Sequence, residues 1–205
     1  MKNLLETEVV ASINAQKNGS LTVWNKIPTV RYEDISKELF DIVDGKGFNG
    51  TIERAKDKGT ATYINSHRLP LRFICYEEYL NQFGDYTKGL GRADFIVHDL
   101  SEKKEYFIVH ELSEGVASNK RSKARNQLFG TLNLLFKSPK VKQYIDGFQH
   151  RQCIMSASGG DVLTPNGMAD GFFAIDSILP DPIPMNAKQI TNLGFEAWET
   201  RIVNL

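Results

Sequence analysis

"ADFIVHDLSEKKEYFIVHEL", residues 93–112, decides how the rest of the chain is read. Two apolar runs rich in Phe, Ile and Val flank the polar "LSEKK", the pattern of two strands joined by a turn. Folded symmetrically about that turn, the runs pair antiparallel. Ile96 then meets Val109, His98 meets Phe107, and Asp94 stands opposite Glu111 on the same face. Directly opposed β positions place their Cβ atoms about 4.5–5.5 Å apart. Two carboxylates that close repel one another, and their apolar neighbours imply desolvation. A divalent cation compensates both effects, because Mg²⁺ takes oxygen ligands and is held by one or two carboxylates plus substrate phosphate. A register offset that sends the two acids to opposite faces, or to a wet strand end, is the competing arrangement.

Downstream, "SNKRSKARNQLFGTLNLLF" (118–136) has Ala124, Leu128, Leu132 and Leu135 at helical spacing. Lys120, Lys123, Gln127 and Thr131 form a polar stripe beside the apolar one. Arg121 and Arg125 lie on another flank. A lysine from this stripe can stabilise charge on a phosphate, and the four cations Lys120, Arg121, Lys123 and Arg125 can grip a nucleic-acid backbone. A merely solvated helix face is the alternative.

Further out, residues 3–16 read as a helix, and "SLTVWNKIP" (20–28) as a strand or loop. "YEDISKELFDIVDG" predicts a helix, with Ile35, Leu39, Ile42 and Val43 on one stripe. "LPLRFICYEEYLNQF" (69–83) reads as a strand running into a helical turn, and "GDYTKGLGR" (84–92) as a glycine-rich loop. A short helix is expected over 138–148, with Pro139 in its first turn. "HRQCIMSAS" and "GFFAID" are further strands. The proline-rich 177–185 cannot be a central strand. "FEAWETRIVNL" fits a strand or a helix. Strands on both sides of one long helix give a mixed α/β domain.

The chain has 205 residues and equal numbers of acids and bases, so nothing in the total charge draws it to nucleic acid and any attraction is local. Cys75 and Cys153 show no zinc spacing, which leaves a reduced intracellular, cytoplasmic setting as the expectation. No run of apolar residues is long enough for a membrane span. In "HEL", Glu111 follows a histidine, but Glu114 occupies the place of a metalloprotease's second histidine. In the hairpin register His110 faces away from Glu111, into a core.

Asp94 at a strand start, the short hairpin, Glu111-Leu112-Ser113, and then a helix carrying Gln127-Leu128 together resemble the PD-(D/E)xK nuclease superfamily, closest to RecB-type and restriction-endonuclease-like members. The likeness covers about residues 90–157 of a single domain, 1–205. It implies a mixed sheet flanked by helices with an αβββαβ core. It implies a Mg²⁺ (or Mn²⁺) site on Asp94 and Glu111, with the main-chain carbonyl of Leu112 as a further ligand and Gln127 as a helper. Another acid sits on the preceding helix in some members, which makes Glu38, and after it Glu53, further candidates. One position departs from the pattern. Ser113 stands where the family has its lysine, and a hydroxyl supplies no positive charge. Some members bring that lysine from the neighbouring helix, and Lys120 and Lys123 are the substitutes here. The expectation is a metal-dependent nuclease acting on nucleic acid, DNA before RNA. A homodimer is the expected way to reach both strands of a duplex. The alternative is a nuclease fold without catalysis that serves as a nucleic-acid-binding or assembly module.

Overall fold

A computed structural model describes residues 1–16, 24–43, 59–114, 118–158 and 182–205. A large mixed sheet is flanked by helices on one face and by a small second sheet on the other. The large sheet runs β1 (Tyr32–Ile35), β4 (Leu71–Cys75), β5 (Phe95–Asp99), β6 (Tyr106–Glu114), β7 (His150–Ser158), β9 (Glu196–Glu199) and β8 (Ile183–Pro184) in spatial order. β4, β5 and β6 are antiparallel neighbours, whereas β6, β7 and β9 are parallel. The small sheet places β3 (Ala61–Ile64) between β2 (Leu39–Ile42) and β10 (Ile202–Asn204).

Alternation along the central strands divides the core in two. Ile96, Phe107, Val109, Cys153 and Met155 face the helices. Phe95, Val97, Ile108, Leu112 and Ile154 face the small sheet. A strand buried on both faces has no polar side, which explains the nearly continuous apolar runs in β5 and β6.

The helical layer begins with α1 (Lys2–Leu4), a π-helical turn (Leu5–Val9) and α2 (Val10–Ala15). It continues with α3 (Tyr76–Asn81), α4 (Ser118–Leu135), α5 (Pro139–Asp146) and α6 (Lys188–Thr191). Ala124, Leu128, Leu132 and Leu135 are all buried, as their spacing predicts. Ser138 caps α5 by accepting from the Val141 N–H, with Pro139 in the first turn. No helix among the described residues is long and apolar enough to cross a membrane.

Several expectations are corrected. Residues 32–42 form β1 and β2 with a turn between, not a helix. The apolar residues there fit both periods, and distant partners decide: β1 pairs with β4 and β2 with β3. Glu38 therefore sits in that turn, exposed, 3.0 Å from the Arg68 guanidinium. The C-terminal stretch gives two strands, β9 and β10, in different sheets. The described part of the proline-rich segment, from residue 182, contributes the two-residue edge strand β8, in keeping with proline's missing donor. Glu53 and the "GFFAID" segment lie outside the described residues.

Candidate functional site

The hairpin pairs in the expected register, with Phe95 opposite His110, Ile96 opposite Val109, Val97 opposite Ile108 and His98 opposite Phe107. Continued one step past the last paired residues, that register sets Asp94, in the bend before β5, against Glu111. Both share the parity of Ile96 and Val109, so both belong to the helix side of the sheet. Glu111 is buried, and Asp94 is half-buried in the bend just before β5. The Leu112 N–H donates to Asp94 Oδ2 at 2.6 Å and orients that carboxylate. In an antiparallel strand the N–H and C=O of one residue leave by the same edge. The Leu112 carbonyl is therefore turned toward Asp94 as well.

α4 determines where Asp94 arrives. Gly91 and Gly130 touch backbone to backbone: a Cβ added to Gly130 would stand 2.6 Å from Gly91 Cα, and one added to Gly91 would stand 2.3 Å from the Asn126 carbonyl oxygen. The next two residues are clamped to the same helix. Gln127 Nε2 donates to the Arg92 carbonyl at 2.9 Å, and the Ala93 N–H donates to Thr131 Oγ1 at 2.9 Å. Half of the polar stripe on α4 thus ties down the chain that delivers Asp94, a role that its spacing did not reveal. Because a carbonyl must receive from nitrogen, this bond also fixes the Gln127 amide. Its Oε1 is buried and has no hydrogen-bond partner among the described residues.

The basic residues separate. Arg121 Nε lies 2.9 Å from Glu199 on β9, and Arg125 donates to the Asn186 carbonyl at 3.1 Å. Both arginines hold α4 to the β8–β9 region. Lys123 is exposed and Lys120 half-buried, and neither has an ion-pair partner within 4.0 Å among the described residues. Lys123 and Gln127 line a cleft of about 920 Å³ between α4 and the Gly89–Gly91 loop. Ser113 lies on the face of Glu111, paired with Ala157 of β7.

Oxygen donors of this kind, two opposed carboxylates and a carbonyl at one strand edge, fit a small hard cation. Among the described residues no group of three or more His, Cys, Asp or Glu gathers to hold a metal, so any such site is limited to this pair and main-chain or substrate oxygens.

His98 is buried against Tyr144 and Phe148 of the α5 region. Burial lowers its pKa to about 4. His110 is fully buried, as expected, and is held at both nitrogens: Tyr63 Oη at 2.7 Å from Nδ1, and Ser156 Oγ at 2.8 Å from Nε2. Ser156 gives its only hydrogen to the Thr200 carbonyl, so it accepts from Nε2–H, and Tyr63 donates to Nδ1. Burial lowers the His110 pKa to about 3, so it is neutral at pH 7. Tyr63 is an internal residue. Arg72 is engaged by Asp34 through two bonds, at 2.6 and 2.7 Å.

Searches with the sequence and the structure against family models, curated proteins and solved structures found no match.

Proposed function

We propose that the chain is a Mg²⁺-dependent phosphodiesterase acting on nucleic acid, with a PD-(D/E)xK nuclease-like core. The observation that carries this reading is the opposed pair Asp94 and Glu111 on the helix side of the β5–β6 hairpin. The order β4, α3, β5, β6, α4, α5, β7, with β6 and β7 parallel, supports the restriction-endonuclease-like topology.

Asp94, Glu111 and the Leu112 carbonyl would hold the ion. When bound, such an ion polarises a phosphoryl oxygen and lowers the pKa of the attacking water. Gln127, with Nε2 committed to the Arg92 carbonyl, offers an acceptor, so it orients a water's proton and does not bind a phosphate oxygen. Lys123, at the rim of the cleft, supplies positive charge to the phosphate in place of the lysine that Ser113 lacks.

The second reading is a non-catalytic nucleic-acid-binding or assembly module, and Ser113 on the Glu111 face favours it. Calorimetric titration with Mn²⁺ or Mg²⁺, alone and with oligonucleotide, tests the first. Binding that disappears in both Asp94→Asn and Glu111→Gln supports the metal site, and cleavage of labelled DNA that falls with Lys123→Ala supports catalysis. No binding in either condition would remove the enzyme reading and leave the module.

A further inference from the structure

We infer that the cleft between α4 and the Gly89–Gly91 loop is a binding groove for a single strand of nucleic acid, read through its unpaired bases. α4 is 18 residues long, which spans about 27 Å, and contains no Asp or Glu. Its two arginines are turned to Glu199 and Asn186 and are not offered to the cleft. What faces the cleft is chiefly neutral: Asn119, Asn126, Gln127 and Gln189, with Phe129 in the wall and Lys123 as the cation. An adjoining cleft on the other side of the same loop is lined by Asn133 and Lys137. Asn119, Asn126 and Asn133 recur every seven residues, so they form one stripe along the helix.

This composition selects among nucleic-acid forms. A duplex presents phosphates outward and is gripped by many cations. A row of amides with few cations suits base edges, which carry donor and acceptor groups and are exposed when the strand is unpaired. An aromatic wall offers stacking. Gly89 removes a side chain from the opposite wall, where an added Cβ would meet nothing within 4 Å, and lets a strand approach the main chain. Gln127 lines the groove and holds the Arg92 carbonyl, so the groove adjoins the segment that delivers Asp94. As the substrate of that site the strand rests on the function proposed above; as a ligand of the groove it does not.

The test uses the full chain carrying Asp94→Asn and Glu111→Gln, without divalent metal, so that nothing is cleaved. A labelled strand of about 16 nucleotides is titrated by fluorescence anisotropy beside a duplex of the same sequence. The expected result is single-strand binding at least about 10-fold tighter than duplex binding, with a salt slope near −1.4, corresponding to about two neutralised phosphates. Asn119→Asp with Asn126→Asp, on exposed positions, should weaken single-strand binding at least about 10-fold at unchanged thermal midpoint. Arg121→Ala should leave it unchanged. Equal or tighter duplex binding, a steep slope, insensitivity to the two aspartates, or no binding of either probe would overturn the groove. Metal calorimetry on the natural protein reports separately on Asp94 and Glu111, so failure of the groove and failure of the metal site are distinguishable.

Discussion

His110 and Glu111 are neighbours on β6, both buried, and their surroundings could hardly differ more. His110 faces the small sheet and belongs to a closed chain of hydrogen bonds from Tyr63 to the Thr200 carbonyl. Glu111 faces the helices, across the hairpin from a second acid. A buried polar group whose bonds all close within the protein is part of the architecture. Two acids set opposite each other, one of them buried, are an arrangement that stability alone does not favour. The comparison separates residues that hold the sheets together from residues poised for chemistry.

The largest expected effect is on the closed side. His110→Ala should lower the unfolding free energy by about 3–5 kcal/mol, because it opens a cavity and strands two buried hydroxyls. Urea denaturation measures it, and metal binding should persist wherever the variant folds. A loss under about 1 kcal/mol would show that the Tyr63–Ser156 chain does not tie the sheets. Glu111→Gln should do the reverse, removing metal binding while leaving the urea midpoint level or higher.

Acid should act next. His98 and His110 have native pKa values of about 4 and about 3, both below the ordinary 6.5. The unfolded chain takes up their protons first, so stability is full above about pH 6.5. It is lost as pH falls toward 4 for His98 and toward 3 for His110. By pH 5 the loss should be on the order of 2–4 kcal/mol. His98→Phe, which keeps a ring against Tyr144 and Phe148, should remove roughly half of that pH dependence. An unchanged slope would show that His98 titrates normally.

Gly130→Ala should cost about 1–3 kcal/mol and weaken metal binding, because the added methyl group pushes the Gly91–Asp94 segment off α4. Thermal melts and calorimetry on one preparation check both. The smallest effect is expected for Arg121→Ala, under about 1 kcal/mol, since the arginine side of its ion pair with Glu199 is substantially exposed.

What could be read in advance was local. The hairpin register followed from alternation about a five-residue polar turn, and α4 followed from four apolar residues at helical spacing. The strand-to-helix change at Cys75–Tyr76 was legible for the same reason. What failed was set from far away. β1 and β2 looked helical because their apolar residues suit either period until β3 and β4 provide pairing partners. For the candidate site, the paired acids were visible in one hairpin. The clamp of Gln127 and Thr131 on residues 92–93 was not, because no pattern within α4 names the main chain it will meet. A pair of glycines, Gly91 and Gly130, was the available signal, and their contact is nonlocal.

The parallel entry of β10 beside β3 has a consequence for the order of assembly. Asp94 and Glu111 are joined by one short turn, so their hairpin can close in microseconds with little loop entropy to overcome. β3 must wait for a strand near the other end of the chain, Ile202 pairing with Thr62. During synthesis the two acids are therefore neighbours well before β10 has left the ribosome. Until it arrives, one edge of β3 lacks its partner strand, exposed to the pairing with other chains that closed sheets avoid.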